Sequence, residues 1–442
     1  SGFAEYAASV EEWTLARGSA VTGIPAEAIR EVAHAYARAD RAQMCWTLGI
    51  TEHHNAVDNV LALINLALLT GHVGRYGSGL SPLRGQNNVQ GGGDMGAIPN
   101  KLPGFQDLLD DGVRGKFERA WGCTIAPRLG WHLTQMFDAM ERGDLRALYV
   151  IGENPAQSEA DNHRAQRLLE GLDHLVVQDI FLTRTAQMAD VVLPSAAGWC
   201  ESDGTVTNSE RRVQRVRKAV EPPGEARTDT DILLEIAARL GHRWSCTAPE
   251  ELWNELRSLS PMHAGMSYAR LEELGGIQWP CYREDALEPS YLHGRLWETD
   301  PARRGPPAPF SVVRDEPPVD ALSEEFPLRL TTGRRLDSFN TGVQTGGYRS
   351  PLRFGEAIEI SPEDAAALGV AEGEGVRVIS RRGALEAPVR VDRSLRPGLV
   401  FMTVHFPDEV DVNVLTIDAT DPRSGTAEFK AAAVRIERLG GA

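Results

Sequence analysis

The first half of the chain alternates amphipathic helical patterns with short apolar runs. Residues 22–40 repeat apolar side chains at helical spacing, which predicts a helix with Pro25 in its first turn. The apolar stretch 43–50 predicts a strand, and the long apolar run after it predicts a buried helix over about 58–69. This alternation of strand and helix is typical of a parallel sheet.

Two later predicted strands end at clusters of polar side chains. One apolar run stops at Glu153 and Asn154, and the next stops at Gln178 and Asp179. Each cluster alone is equally consistent with an ordinary strand-end turn. Because ligands of open α/β sheets bind at the carboxyl ends of the strands, the two clusters together favour a binding site.

The chain changes character after residue 198. Turns become more frequent up to a Pro-rich connector, which predicts a boundary near residue 320. Beyond it, residues 361–369 predict a short helix and residues 375–392 predict a hairpin, so we expect a compact β domain of barrel type. The predicted parts are an α/β segment (1–86), an α/β domain (87–198), a smaller α+β segment with the connector (199–320) and a β-barrel domain (321–442).

Composition narrows the range of partners. The 442 residues are 42% hydrophobic and 24% charged, as in ordinary soluble globular proteins. The net charge of -16 argues against nucleic acid as a partner. The longest apolar run, 59–74, is too short to span a bilayer, so no membrane association is expected. The chain opens with Ser1 and Gly2, and we expect it to be a processed product or part of a longer protein.

The cysteines are few and scattered. None forms a CxxC pair, so the sequence predicts no zinc site, iron–sulfur cluster or other metal ligand set. The odd count also argues against a disulfide scaffold. Each is expected to be a small buried apolar residue; they are Cys45, Cys123, Cys200, Cys246 and Cys281.

The stretch 82–100 concentrates carboxamide side chains beside one arginine. It contains five glycines, three asparagines and two glutamines after Arg84. A guanidinium group can hold a carboxylate bidentately, and glycines let backbone N–H groups approach a ligand. A surface linker, or amides that bond the loop to itself, is the alternative. The spacing is not that of a dinucleotide fingerprint, and the stretch is not expected to connect a strand to a helix as a P-loop does.

Other candidate residues are more ambiguous. His53 and His54 could bind a metal, but a solvated loop is the simpler interpretation because adjacent histidines usually point apart. His405 is equally consistent with a structural histidine and with a ligand contact. A turn after the strand 327–332 suits a phosphate or a second anion and contains Arg334, Arg335, Ser338 and Asn340. The sequence identifies neither a nucleophile nor a general base.

Several stretches resemble the catalytic subunit of molybdenum- or tungsten-dependent formate dehydrogenases, of the dimethyl sulfoxide reductase superfamily. They follow that family's order and spacing, and the resemblance extends over essentially the whole chain. RGQNNVQG and VVQDIF are the most specific motifs, and the stretches are 82–106, 152–181, 189–216 and 276–281. Residues 330–347 and 402–416 resemble the cytoplasmic, NAD-linked branch most.

The resemblance implies a fold, a reaction and partners. The fold would be Rossmann-like layers followed by a double-psi type β-barrel. The parent enzyme would oxidise formate to CO2 at a molybdenum or tungsten ion held by two molybdopterin guanine dinucleotides. Electrons would pass through iron–sulfur clusters toward NAD, with NAD-reducing iron–sulfur and flavin subunits as partners in the cytoplasm.

The resemblance also implies roles for individual residues. Arg84 matches the arginine that orients formate beside the metal. Leu48 and Gln86 match pterin contacts. The remaining cofactor contacts are a guanine dinucleotide pocket at the sheet edge (Asn154, Ser158, Gln178, Ser195), a turn (Arg334, Ser338, Asn340) and positions in the final domain (His405, Asn413, Phe429, Lys430).

One departure from the family pattern concerns the metal centre. Family subunits carry an N-terminal half with a four-cysteine cluster motif and a cysteine or selenocysteine followed by histidine, and no cysteine here matches either. We therefore expect this chain to be the C-terminal half, with the iron–sulfur cluster in the missing half, and to bind little or no cofactor and be inactive alone. The alternatives are a catalytically silent scaffold, like the related large subunit of respiratory complex I, and a sister oxidoreductase for another small substrate.

Overall fold

The structure is a computed structural model that describes residues 1–287, 291–335, 340, 355–406 and 408–439. Among these residues no helix is long and apolar enough to cross a membrane. Helices and strands alternate in the first half, and strands dominate after residue 327. The predicted division into four parts is not tested by the coordinates and stays a prediction.

The amino-terminal region is mainly helical and contains one pair of parallel strands. Its elements are helices α1 (Phe3–Val10), α2 (Leu15–Thr22), α3 (Ala26–Arg38), α4 (Leu48–Thr51) and α5 (Ala56–Thr70) and strands β1 (Gln43–Trp46) and β2 (Gly79–Pro82). The predicted strand ends earlier than expected because residues from Leu48 wind into a helical turn. The expectation of a buried α5 is wrong for much of its length: Ala67 is buried, but Leu69 is about half exposed.

The Gly-rich stretch connects β2 to a short helix. Its elements are α6 (Val89–Asp94), β3 (Lys101–Leu102), β4 (Gln106–Asp107), α7 (Asp111–Trp121) and α8 (Leu133–Glu141). The expectation that this stretch does not connect a strand to a helix is therefore wrong. The signal was hidden because three consecutive glycines lower helix propensity in α6.

A three-stranded parallel sheet forms the centre of the second α/β region, as predicted. Its strands lie in the order β5-β6-β7, and helices α9 to α11 connect or flank them. One face packs Val150, Leu175 and Val177 against the helices. On the other face Tyr149 and Ile151 are exposed. The elements are β5 (Ala147–Ile151), α9 (Pro155–Ser158), α10 (Asn162–Glu170), β6 (His174–Asp179), α11 (Arg184–Met188) and β7 (Val191–Pro194).

The described part of residues 199–320 contains a small antiparallel sheet and three α-helices. Strand β9 is central in this sheet, because β8 pairs with one of its sides and β10, about sixty residues later, pairs with the other. The elements are β8 (Gly204–Thr207), β9 (Arg212–Val216), α12 (Asp229–Arg239), α13 (Pro249–Leu259), α14 (Tyr268–Glu273) and β10 (Ile277–Gln278), with 3-10 turns Pro261–His263 and Gly294–Trp297.

The C-terminal region is a closed six-stranded barrel, which confirms the predicted fold class. The strands lie in the order β11-β15-β12-β14-β13-β16, with an interior that includes Leu330, Ile360, Val378 and Met402. The predicted hairpin is present. The elements are β11 (Leu328–Gly333), β12 (Ile358–Ile360), α15 (Pro362–Leu368), β13 (Gly375–Ser380), β14 (Ala384–Val391), β15 (Leu399–Thr403) and β16 (Ala432–Arg438), with a 3-10 turn at Val412–Val414.

The expectation that the cysteines are buried is wrong for most of them. Cys281 is buried in the core beside Trp253 and Met266. Cys45 and Cys123 are exposed, because one lies on the two-stranded sheet and the other directly follows the end of α7.

Candidate functional site

A cavity of about 570 Å³ lies between the α/β regions and the barrel. Its walls come from the segment 47–53, the Gly-rich stretch, the loop after β5, the end of β11 and the last part of the barrel. Eight of the residues proposed from the sequence line it: Leu48, Gln86, Ser158, Arg334, Asn340, Asn413, Phe429 and Lys430. The volume falls within the range of about 300–1,000 Å³ typical of cofactor sites.

Arg334 and Lys430 place two cationic groups on the barrel side of the cavity. Arg334 directly follows β11, and its Nη2 donates a hydrogen bond to Oδ1 of Asn340 at 2.8 Å. Nζ of Lys430 donates to the carbonyl oxygen of Thr332 at 2.9 Å and lies 3.0 Å from a carboxylate oxygen of Glu52. These groups can bind an anion such as a phosphate, with Arg334 also able to bind it bidentately.

His53 and His54 converge on one buried carboxylate rather than pointing into solvent. Nδ1 of His53 lies 3.2 Å from Oε1 of Glu428, and the backbone N–H of His54 donates to Oε2 at 3.1 Å. The N–H of Lys430 donates to Oε1 at 3.0 Å. Burial raises the pKa of Glu428, but the hydrogen bond and charge of His53 and these backbone N–H groups outweigh it, and the pKa is lowered. The solvated-loop interpretation was therefore wrong.

Glu153 and Glu159 contribute two carboxyl groups to the wall of the cavity that follows β5. Oε1 of Glu153 accepts hydrogen bonds from the N–H of Asn154 at 3.2 Å and from Oγ of Ser158 at 3.0 Å. Burial, followed by the charge of Glu153, raises the pKa of Glu159 to about 7. The net charge of this wall therefore changes near neutral pH.

Three predicted contacts, Asn154, Gln178 and Ser195, lie buried behind the cavity at the carboxyl edge of the sheet. The side-chain oxygen of Asn154 accepts hydrogen bonds from the N–H and Oγ1 of Thr185 at 3.1 and 2.7 Å. Gln178 donates to Asp229 at 2.5 Å and accepts from the hydroxyl of Tyr149. The coordinates do not bring these three side chains into the cavity, and their roles as cofactor contacts stay predictions.

Arg84 is exposed and lies next to the rim of the cavity. Its backbone N–H donates to Oγ of Ser209 at 3.0 Å. A Cβ added to Gly85 would lie 3.2 Å from Nη1 of Arg334, and Gln86 lines the cavity. The side chain of Arg84 does not line it, and its role as the substrate arginine stays a prediction.

Two other amides of the Gly-rich stretch, Asn88 and Gln90, make structural hydrogen bonds. The side-chain oxygen of Asn88 accepts the N–H of Thr207 at 2.9 Å, and Gln90 donates to Asp94 at 2.9 Å. Burial raises the pKa of Asp94, against hydrogen bonds from Gln90 and Trp279 and the charge of Arg84. Gln86 thus lines the cavity, whereas Asn88 and Gln90 make structural contacts.

His405 is buried, and it contacts the backbone of the turn that follows β11. It does not line the cavity. Ser338, the other residue assigned to that turn, lies outside the described residues.

Three acidic residues of the site were not found from the sequence, and His53 was set aside as part of a solvated loop. Glu52, Glu159 and His53 line the cavity, and Glu428 contacts His53 from the other wall. Among the residues that the structure describes, no three His, Cys, Asp or Glu side chains are grouped to hold a metal ion.

Fold and cavity define an α/β protein with a C-terminal barrel and a site for an extended polar ligand between them. Residues 21–239 match the family described as Molybdopterin oxidoreductase, and residues 328–433 match the Molydopterin dinucleotide binding domain. The chain belongs to the molybdopterin oxidoreductases, and its resemblance to formate dehydrogenase alpha subunits is confirmed.

Its relatives include formate dehydrogenase subunits of archaea and bacteria. The chain is 41% identical over 443 residues to the F420-dependent formate dehydrogenase subunit alpha of Methanocaldococcus jannaschii and 36% identical over 444 residues to formate dehydrogenase H of Escherichia coli. In each case 99% of this chain is matched, but it spans only 64% and 61% of those relatives. Acetylene hydratase from Pelobacter acetylenicus shares the fold, with a TM-score of 0.70 at 19% identity over 99% of this chain and 66% of its own.

Proposed function

We propose that this chain is part of the catalytic subunit of a formate dehydrogenase that oxidises formate to CO2. The observation that carries the proposal is the cavity, where eight residues assigned from the family resemblance meet although they lie as far apart in the chain as Leu48 and Lys430. Relatives named as formate dehydrogenases match along the whole chain.

The groups around the cavity fit a molybdopterin guanine dinucleotide. Arg334 and Lys430 supply positive charge for the pyrophosphate, and Gln86 offers donors and acceptors for the pterin. The carboxylates of Glu153 and Glu159 can accept hydrogen bonds from guanine N–H and ribose hydroxyl groups. When bound, the cofactor supplies two-electron redox chemistry through its molybdenum or tungsten ion.

Arg84 is the residue that we assign to the substrate. Formate is a monoanion, and its oxidation, HCOO⁻ → CO2 + H⁺ + 2e⁻, leaves a neutral product. A guanidinium beside the rim of the cavity can hold the carboxylate in one orientation before the C–H bond breaks, so its contribution is positioning and charge.

One face of the β5-β6-β7 sheet is exposed, which supports a further part of the same subunit as its cover. Parallel sheets are normally covered on both faces, yet Tyr149, Ile151 and Val191 are exposed here. We assign this face to the part of the subunit that the longer relatives carry outside the matched region, which would also hold the iron–sulfur cluster. It would be protected from solvent in the intact subunit.

We infer that the electrons reach NAD through iron–sulfur and flavin subunits in the cytoplasm, because residues 330–347 and 402–416 resemble the NAD-linked branch. The relative from Methanocaldococcus jannaschii is named for F420, which is therefore the acceptor to compare. Reduction of NAD, of F420 and of a dye by the source enzyme would separate these acceptors.

The experiment uses the source enzyme that contains this chain. Metal and pterin analysis should find molybdenum or tungsten with guanine dinucleotide, and formate should outperform nitrate and sulfoxides in a dye-linked assay. Arg84→Ala should raise the KM for formate and lower kcat/KM about 100-fold. Arg119→Ala, which removes an exposed arginine on α7, is the control. Absence of pterin would favour the silent scaffold, and preference for another substrate would favour a sister oxidoreductase.

A further inference from the structure

We propose that His405 is a positioning residue, which holds the cavity-lining side chains Arg334 and Asn340 in place as a neutral ring protonated on Nδ1. The proposal rests on the proposed function in one respect, since it takes the cavity as the site of a phosphorylated nucleotide. The rest of it concerns contacts within the chain.

The pairing of two barrel strands places His405 beside Arg335, which follows the end of β11. Strands β11 and β15 are parallel, with Gly333 opposite Thr403, and the N–H of Val404 extends the ladder to the carbonyl oxygen of Gly333 at 3.2 Å. His405, two residues past Thr403, therefore lies beside Arg335, two residues past Gly333. Its imidazole is fully buried.

Both ring nitrogens of His405 contact the backbone of that turn. The N–H of Arg335 donates to Nε2 at 2.7 Å, and Nδ1 contacts the carbonyl oxygen of Asn340. The side chain of His405 thus holds the backbone of both Arg335 and Asn340. Because Arg334 and Asn340 are also hydrogen-bonded to each other at 2.8 Å, the position of both cavity-lining groups depends on the ring.

These contacts select one tautomer. A backbone N–H can only donate, so Nε2 must keep its lone pair to accept from Arg335. The proton of the neutral ring therefore lies on Nδ1, where it is donated to the carbonyl oxygen of Asn340. A doubly protonated ring would lose the acceptor, and an aliphatic side chain would lose both contacts.

The structure also explains how the histidine could act without touching the ligand. It lines no part of the cavity, whereas Arg334 and Asn340 do. A glutamine at the same position carries an acceptor and a donor on one planar group, so it can replace both contacts. Leucine has a similar volume and can replace neither.

The test compares His405→Leu and His405→Gln with the unmodified chain. Affinity for GDP, the nucleotide portion of the expected cofactor, is measured by calorimetry. Hydrogen exchange of the Arg335 amide is measured in the same proteins. The ring nitrogens of His405 are assigned by ¹⁵N NMR in the unmodified chain. His263→Leu is the matched control, because His263 is also fully buried but pairs with Oγ of Ser260 at 2.7 Å and does not line the cavity.

We expect His405→Leu to lose protection of the Arg335 amide and to bind GDP about tenfold more weakly. His405→Gln should recover protection and bind within about twofold of the unmodified chain, as should His263→Leu even where it lowers Tm. The NMR spectrum should show Nδ1 protonated and Nε2 as an acceptor.

Three results would overturn the proposal: a proton on Nε2, unchanged protection of the Arg335 amide in His405→Leu, or equal loss of GDP binding in the His263 control. If the unmodified chain binds no GDP, the nucleotide step of the proposed function fails. The amide exchange and the ring tautomer then still decide whether His405 holds the turn. The tautomer measurement needs no variant, so it stands even if His405→Leu does not fold.

Discussion

Nδ1 of His53 lies 3.2 Å from the carboxylate oxygen Oε1 of Glu428, and this contact joins two walls of the cavity. The segment that contains His53 also contributes Leu48 to the cavity, and Lys430 follows Glu428 by two residues. The side chain of Glu428 is completely buried. This buried carboxylate therefore holds the two walls together, along with the contact between Lys430 and Glu52 at 3.0 Å.

Replacing Glu428 with glutamine should destabilise the chain in a pH-dependent way. The lowered pKa of Glu428 means that its contribution is fully present above the ordinary glutamate value of 4.5 and is lost as pH falls through the lower folded value. We expect Glu428→Gln to lower the free energy of unfolding by about 3 kcal/mol at pH 7. The free energies of unfolding of the two proteins, measured with urea, should converge below pH 4.5.

Glu437→Gln is the control for that experiment. Glu437 is about half exposed and lies 2.8 Å from Nε of Arg435 at the surface. Its replacement should change the free energy of unfolding by less than about 1 kcal/mol at every pH. A Glu428→Gln difference that stays constant down to pH 3 would show that the carboxylate charge is not the source of the effect.

Substitutions of Lys430 and of Glu52 should shift the affinity for GDP in opposite directions. Lys430→Met removes a cation from the cavity and should weaken GDP binding about tenfold. Glu52→Gln leaves Lys430 without its carboxylate partner at 3.0 Å, so GDP should bind about threefold more tightly. Calorimetry on both variants measures the change.

A matched lysine serves as the control for this pair. Lys116 contacts the carbonyl oxygen of Leu259 at 2.6 Å and does not line the cavity. Lys116→Met should leave GDP affinity unchanged. If Glu52→Gln weakened binding as much as Lys430→Met did, the pair would matter for wall structure rather than for charge.

Local elements of this fold could be predicted because their apolar residues are periodic and their ends carry turn residues. The strands β5 and β6 and the helix Pro362–Leu368 appear where the pattern predicts them. The helix illustrates the reason: Ser361 accepts the N–H of Asp364 at 3.0 Å, and Gly369 ends it with a positive φ of 66°. Both signals lie within a few residues of the helix itself.

Features that depend on distant segments could not be predicted in this way. The central position of β9 depends on β10, and the convergence of His53 and His54 depends on Glu428, 374 residues beyond His54. The sequence around His53 gives no sign that the carboxylate of Glu428 lies beside it in the folded chain. Arg334 and Asn340 stood out because they belong to a polar segment directly after a predicted strand. Other cavity residues, such as Leu48 and Phe429, were found through the family resemblance.

The pKa of Glu159, raised to about 7, predicts that anion binding in the cavity depends on pH. Below pH 7 the carboxyl group is mostly neutral, and above it the carboxylate repels a phosphate. One charge acting over about 15 Å at an effective dielectric constant of about 20 contributes about 1 kcal/mol, or about fivefold in affinity. GDP binding by the unmodified chain should therefore weaken relative to Glu159→Gln between pH 6 and 8.

The informative quantity is the ratio of the GDP affinities of the two proteins, because the phosphate of GDP also titrates over this range. Glu250→Gln, at an exposed position on α13, should keep the pH dependence of the unmodified chain. A ratio between Glu159→Gln and the unmodified chain that does not change with pH would mean that Glu159 does not titrate near the ligand.

Gly85 is a position where the Gly-rich stretch approaches the barrel residue Arg334 beside the cavity. A Cβ at residue 85 would lie 3.2 Å from Nη1 of Arg334, close enough to displace the guanidinium. We expect Gly85→Ala to weaken GDP binding about fivefold, the loss of part of one charge-assisted hydrogen bond. Stability should change little, because the side chain can move toward solvent.

Gly92 provides a control from the same stretch, since a Cβ there would meet nothing within 4 Å. Gly92 lies in the helix Val89–Asp94, so Gly92→Ala should leave GDP affinity unchanged and stabilise the chain by up to about 1 kcal/mol through helix propensity. Calorimetry with GDP and urea unfolding on both variants separate the two effects. Equal affinities for Gly85→Ala and Gly92→Ala would mean that Arg334 can bind the phosphate from a position that Gly85 does not control.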